Sequence, residues 1–230
     1  VFAAVVQSHH SRFYLGYMVA CMAGKITALE YQKKNPDRVS VYLDGRFAFG
    51  LPAIVAVRLA PGQFLSDAET EALQEQGAVE SAYNRALNYL SYRPRSRAEM
   101  EAYLQKCDVT DSQVDGIIER LERAGLLDDE AFARFWVENR ERFRPRGLRA
   151  LRYELRAKGI SDEIIEGALA VVDVSESAYQ SATKKARQME HLDRETFCRK
   201  IVEYLARRGF EYEVARETAE RHWTELTADE

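Results

Sequence analysis

Apolar positions change period once along this chain. Between Lys25 and Gly50 they tend to alternate: Ile26-Thr27-Ala28-Leu29-Glu30-Tyr31, then Val39-Ser40-Val41-Tyr42-Leu43, then Phe47-Ala48-Phe49. A period of two predicts strands with one covered face. Lys33-Lys34-Asn35-Pro36-Asp37 has turn composition, and Asp44-Gly45 is a hairpin signal. The prediction is a three-stranded meander, too small to stand without something packed against it. Residues 51–80 read as two short helical stretches around Pro61-Gly62. Ser66 with Glu69 offers a capping box there, and the polar, acidic helix that follows reads as a solvated connector.

From Ala82 onward every apolar stripe has helical spacing. Ala82, Ala86, Leu87 and Leu90 open the series, and Pro94 ends that helix. Ser96 caps the next, with Glu99 completing a capping box, and Met100, Tyr103, Leu104 and Cys107 form its stripe. Thr110 with Gln113 repeats the cap, Val114, Ile117, Ile118 and Leu121 follow, and Gly125 stands where a helix end favours a left-handed residue. The helices of this unit are expected near 82–91, 96–107 and 111–124.

The unit recurs. Tyr92-Arg93-Pro94-Arg95-Ser96 returns fifty-one residues later as Phe143-Arg144-Pro145-Arg146-Gly147, with Met100 falling on Leu151 and Leu104 on Leu155. Leu155-Arg156-Ala157-Lys158-Gly159-Ile160 falls on Leu205-Ala206-Arg207-Arg208-Gly209-Phe210 after a further fifty. In the second unit Asp128 caps a helix whose covered face is Phe132, Phe135 and Trp136. The next helix runs from Gly147 to Lys158, and Ser161 caps a third with Ile164, Ile165, Ala168 and Leu169 inward. In the third unit the inward residues are Ala178, Ala182 and Ala186, then Phe197, Ile201 and Leu205 after an Asp193 cap. Val214, Ala215, Thr218, Ala219 and Trp223 follow. Self-similarity at about 50 residues marks a repeat architecture.

The expected fold class is therefore mainly α: three tandem three-helix repeats in an elongated curved array, preceded by a small N-terminal β-meander. The expected boundaries are 25–80 for the meander with its connector, then 81–125, 126–173 and 174–226 for the repeats. Residues 1–24 are set apart as an extension, disordered or a non-native start, with Met22 as the natural first residue.

Composition narrows the function classes. Net charge is −4 over 230 residues, so the chain as a whole is not a basic nucleic-acid binder. Charge is unevenly placed. Arg134 to Lys158 holds nine basic residues against three acidic, and the last twenty residues hold seven acidic against two Arg. Cys21, Cys107 and Cys198 are far apart and form no metal spacing with the four His, which fits a reducing cytoplasm. No apolar run is long enough to span a membrane. No Ser/His/Asp arrangement, phosphate loop or metal quartet is present, so the sequence offers nothing for enzymatic chemistry and implies no cofactor.

What remains is basic. Arg149, Arg152 and Arg156 share one helix face beside a leucine stripe, Arg144 and Arg146 lead into that helix, and Lys158 ends it. Arg suits bidentate contact with carboxylate or phosphate. A solvated helix face is the plainer alternative. For Arg93, Arg95, Arg144 and Arg146 another alternative is capping of carbonyls at the end of the preceding helix. Leu126-Leu127-Asp128-Asp129 reads as a packed junction with a cap, and Phe132, Phe135 and Trp136 as core.

Taken together, Ala86-Leu87-Asn88-Tyr89-Leu90-Ser91-Tyr92-Arg93-Pro94-Arg95-Ser96, Gly125-Leu126-Leu127-Asp128-Asp129-Glu130-Ala131-Phe132-Ala133, Trp136-Val137-Glu138-Asn139-Arg140, Pro145-Arg146-Gly147 and Glu154-Leu155-Arg156-Ala157-Lys158-Gly159-Ile160 resemble the RecX family of RecA regulators. The likeness covers roughly residues 25–225. The third repeat departs from it, with Arg194-Glu195-Thr196 where the Arg-Pro-Arg turn would stand. The resemblance implies a non-enzymatic monomer that lodges in the groove of the RecA–single-stranded DNA filament. There it would inhibit ATP hydrolysis, strand exchange and co-protease activity, and so modulate DNA repair and the SOS response. Arg93, Arg95, Arg144, Arg146, Arg149, Arg152, Arg156 and Lys158 are the expected contact residues, with at most weak contact to single- or double-stranded DNA. The rivals are an autonomous DNA-binding helical-repeat module, whose three-helix units would resemble helix-turn-helix geometry, and a general adaptor.

Overall fold

The computed structural model describes residues 23–228. The proposed extension lies outside them except for its last two residues, and Gly24 already belongs to the first strand. The chain forms two compact units, one ending at Glu80 and the other beginning at Ser81.

The first unit holds β1 (Gly24–Gln32), β2 (Asn35–Leu43), β3 (Arg46–Pro52), the short helix α1 (Ala53–Ala56) and β4 (Phe64–Leu65). The expected meander is present, with Val39 opposite Leu51 and Val41 opposite Phe49. Asp44 and Gly45 take φ of 47° and 79°, the two positive values that a tight hairpin turn matching strand twist requires. The sheet has a fourth strand that the sequence reading missed. β4 pairs Leu65 with Gly24 and Phe64 with Lys25, giving the order β3-β2-β1-β4. Pro61-Gly62 therefore leads into a strand and not into a helix. Ile26, Val41, Leu51 and Leu65 are buried together, and Leu73 of the following helix packs on them.

That helix, α2 (Asp67–Ser91), is longer than expected. Connector and first repeat helix are one uninterrupted element. Ser66 and Glu69 cap it reciprocally, at 2.8 Å and 3.3 Å.

From Ser81 on, the three-helix repeats are as expected. Repeat one is the end of α2 with α3 (Arg97–Leu104) and α4 (Asp111–Arg123). Repeat two is α5 (Asp129–Phe143), α6 (Leu148–Arg156) and α7 (Asp162–Leu169). Repeat three is α8 (Val174–Arg187), α9 (Arg194–Arg207) and α10 (Tyr212–Ala228). Each carries its own core. Ala86, Met100, Leu104, Ile118 and Leu121 are buried in the first. Phe132, Leu151, Leu155 and Ile165 fill the second. Phe197, Ile201, Leu205 and three alanines of α8 fill the third. Thr110, Asp128 and Asp193 accept the expected helix-start hydrogen bonds, and Asp173 accepts one at the start of α8 that the sequence reading did not name.

Consecutive repeats meet in a recurring way: the start of one middle helix sits on the end of the next repeat's middle helix. Those ends are left-handed glycines, Gly159 with φ 78° and Gly209 with φ 87°. A Cβ on Gly159 would collide with the Ala98 side chain. One on Gly209 would strike Ala150, and one on Gly147 would strike the Gly209 main chain.

At the first joint the Ser96 hydroxyl donates to the Lys158 carbonyl at 2.7 Å, and Asp129 accepts the free Arg97 N–H at 2.8 Å. Glu99 here corrects the sequence reading. Ser96 does accept from the Glu99 N–H at 3.2 Å, but the Glu99 carboxylate does not return the bond. It takes two hydrogen bonds from Arg93, at 2.9 Å and 3.0 Å, and one from Lys158 Nζ of the next repeat. At the second joint the corresponding bonds are largely main-chain. The Gly147 N–H donates to the Arg208 carbonyl at 3.0 Å, and the Arg208 guanidinium reaches the Pro145 carbonyl at 3.4 Å.

Burial opposes ionisation of Glu99, but hydrogen bonds and charge from Arg93 and Lys158 outweigh it and bring its pKa down to about 2. A depressed folded-state pKa stabilises the fold above the ordinary carboxylate range, and that stability is lost as pH falls from there toward 2. Comparing urea stability of the wild type with Glu99→Gln should show a wild-type advantage at neutral pH of roughly 2–3 kcal/mol, shrinking steadily below about pH 4.5. A difference that stays constant down to pH 2 contradicts the assignment.

The glycines make a second test. Gly125 has φ 67° but opens into space, whereas Gly159 has both a left-handed φ and the Ala98 contact. In urea melts Gly125→Ala should cost about 1 kcal/mol, the backbone penalty alone. Gly159→Ala should cost clearly more, through the added steric clash.

Candidate partner-binding site

The basic residues singled out from the sequence lie in one unit but in different chemical settings. At the first Arg-Pro-Arg turn, Arg93 is spent on Glu99 and on the Pro94 carbonyl, at 2.8 Å. Arg95 lies flat on Tyr89, 3.7 Å from the ring centroid, and Tyr89 stacks on Tyr103 at 4.2 Å. Neither arginine's side chain caps α2 in the way the plainer alternative supposed.

The second turn differs. Arg144 is the C-cap residue of α5, and its N–H donates to the Arg140 carbonyl at 2.8 Å. Its side chain is exposed and makes no hydrogen bond or ion pair among the described residues. Arg146 points inward toward Glu154, with Nε 3.9 Å from that carboxylate. Glu154 is already engaged by the Trp136 indole N–H at 2.9 Å and by Arg140 at 2.7 Å. Arg95 and Arg146, equivalent in the repeat, both bury Nε without a hydrogen-bond partner. Trp136 packs on Phe132 at 5.7 Å, with Arg140 and Lys158 against its ring, so it belongs to the core.

On α6 the three arginines do share a face. Leu151 and Leu155 beside them are fully buried, and Tyr153 on the same helix is 76% exposed. Along the sequence few acids interleave with this face. In space, acids from the neighbouring helix do. Arg152 makes a two-pronged pair with Glu166, at 2.6 Å and 2.8 Å, and Arg156 pairs with Asp162 at 2.7 Å. Hydrogen bonds from Arg152 hold the Glu166 carboxyl below its ordinary pKa. These pairs are exposed, so each contributes little to stability and can exchange partners. Arg149 is exposed and has no acidic partner among the described residues. It donates only to the Ala206 carbonyl at the end of α9, at 3.2 Å.

The eight residues therefore sort by setting. Arg93, Arg95, Arg146 and Lys158 are half-buried in joints and stacks. Arg152 and Arg156 are exposed-edge ion pairs. Arg144 and Arg149 present positive charge with no acid against it. Sequence reasoning passed over the exposed aromatics beside them, Phe143 and Tyr153, although the first was visible as the aromatic leading the repeated turn. Tyr92 is exposed at the place in repeat one equivalent to Phe143.

No group of three or more His, Cys, Asp or Glu side chains able to hold a metal is present among the described residues. No described helix is long and apolar enough to cross a membrane.

Comparison with known proteins gives four matches in chain order. The RecX N-terminal domain matches residues 24–65, and the first, second and third RecX three-helix domains match 82–121, 128–169 and 173–221. A protein from Bacillus licheniformis named regulatory protein RecX is 34% identical over 194 residues, covering 82% of this chain and 74% of its own length. Its namesake in Prosthecochloris aestuarii is 39% identical over 137 residues, covering 60% of this chain and 90% of its own. A crystal structure of a regulatory protein RecX superimposes with a TM-score of 0.66 at 30% identity, over 84% of this chain and 97% of that one. The structure of RecX from Lactobacillus salivarius gives 0.57, also at 30%, over 64% and 97%. The fold, the order of its parts and these identities agree: the chain belongs to the RecX family of regulatory proteins.

Proposed function

We propose that this protein is a non-enzymatic inhibitor of the RecA recombinase, acting in the cytoplasm. It docks in the groove of the RecA–single-stranded DNA filament and lowers ATP hydrolysis, strand exchange and co-protease activity. In that role it modulates DNA repair and the SOS response. Family membership supports the partner. The observation that carries the contact is the pair Arg144 and Arg149, positive and exposed beside Phe143 and Tyr153, with no acid neutralising them. A groove lined by acidic side chains or phosphate offers the opposite charge, and an exposed aromatic adds contact area at low entropic cost. Arg152 and Arg156 add to this face by exchanging exposed Glu166 and Asp162 for acceptors on the filament. Arg93, Arg95, Arg146 and Lys158 act indirectly, by holding the repeats in place.

This ordering separates residues that a charge count would pool. In an assay of DNA-dependent ATP hydrolysis by the cognate recombinase, Arg144→Glu with Arg149→Glu should raise the half-inhibitory concentration by ~10-fold or more, as loss of two interface charges does. Arg152→Glu with Arg156→Glu should raise it less. Helicity by circular dichroism should stay unchanged in both. Full inhibition by a folded Arg144/Arg149 double variant would remove this face from the contact. Tight binding to bare DNA with a steep salt slope, alongside no effect on the recombinase, would instead establish the autonomous DNA-binding module.

A further inference from the structure

The two joints between repeats place equivalent helix ends together but hold them by different chemistry. At the first, every bond across the joint needs a side chain: Ser96 Oγ to the Lys158 carbonyl, Asp129 to the Arg97 N–H, and Lys158 Nζ to Glu99. Glu99 is held in turn by Arg93, so one carboxylate joins a cation of its own repeat to a cation of the next. The two cations remain partly open to solvent, with 34% and 28% of their side chains exposed, so small ions can reach them.

Among the described residues no ion pair crosses the second joint; there the Glu141 carboxylate accepts only from the neutral Ser177 hydroxyl. Its acceptors across the joint are the carbonyls of Arg208, Pro145 and Ala206, together with Glu141. The Gly147 main chain lies directly on the Gly209 main chain, so close that neither position has room for a Cβ. Screening by salt weakens attraction between separated charges and leaves steric contact and main-chain hydrogen bonds nearly untouched.

We infer that the joint between repeats one and two is a salt-responsive hinge latched by Glu99, and that the joint between repeats two and three is fixed. Opening the latch changes the angle at which the basic face of α6 is carried relative to repeat one. It leaves that face in constant relation to repeat three, where Arg149 already rests on the end of α9.

Spin-label distances test it directly. Cys21, Cys107 and Cys198 are first replaced by alanine. Nitroxides at Asp115→Cys and Glu163→Cys then span the first joint, and nitroxides at Glu163→Cys and Glu217→Cys span the second. All three sites are exposed. Raising NaCl from about 50 mM to about 1 M should broaden the first distance distribution about twofold and leave the second unchanged, because the Debye length falls to about 3 Å, comparable with the separations in these ion pairs, and only the first joint is held by them. Glu99→Gln should give the broad first distribution already at low salt. Equal broadening across both joints overturns the inference, as does a first distribution that neither salt nor Glu99→Gln changes. Should Glu99→Gln lose its helical spectrum, the salt series on the chain that keeps Glu99 decides alone.

Discussion

Everything in the helical unit depends on two helix ends that dispense with a side chain. Gly159 and Gly209 turn left-handed, close α6 and α9, and bring bare main chain against the start of the preceding repeat's middle helix. Few other residues could do both. The spacing of the repeats follows from that contact, and so does the role of the Arg-Pro-Arg turns. Each turn precedes a helix start that receives one of these glycine ends. At α9, which receives none among the described residues, Asp193 caps the helix conventionally and Arg194 turns aside to Glu220. Loss of the motif in repeat three thus coincides with loss of the contact it frames.

This changes how the positive charge should be weighed. A stretch with six surplus cations looks like a binding surface, yet most of them are matched by acids that are distant in sequence. Glu99 lies fifty-nine residues from Lys158, and Glu166 lies fourteen from Arg152. An overall acidic chain with a small un-neutralised basic face is poorly suited to gripping bare polyanion tightly. It is better suited to a composite partner that supplies shape as well as charge.

The sequence disclosed most where physics is local. Ser66, Thr110, Asp128, Asp193 and the left-handed glycines were readable because capping and positive φ involve only a few adjacent residues. The cores were readable from helical spacing for the same reason. Three features were not. β4 is two residues long and exists only because β1 offers an edge at Gly24 and Lys25, so it carries no periodicity of its own. The continuity of α2 was masked by its polar composition, which reads as connector until Leu73 is seen packing on the sheet. Glu99 had the right spacing for a capping box, but two cations outbid a single backbone N–H, and one of those cations comes from another repeat. For the candidate site the face of α6 was legible. Which of its arginines are free was not, because that depends on how α7 lies beside it.

The direction of the joints has a consequence for how the chain is made. Residues that complete the start of α3 lie at the end of α6, and those that complete the start of α6 lie at the end of α9. A ribosome delivers the N-terminal partner first. Repeat one therefore emerges with the Ser96 hydroxyl and the Glu99 carboxylate still unmatched by Lys158, and waits some sixty residues for it. Repeat two then waits as long again for Gly209. Each unit is finished by its successor, so the growing chain gains order backwards, one repeat behind the point of synthesis.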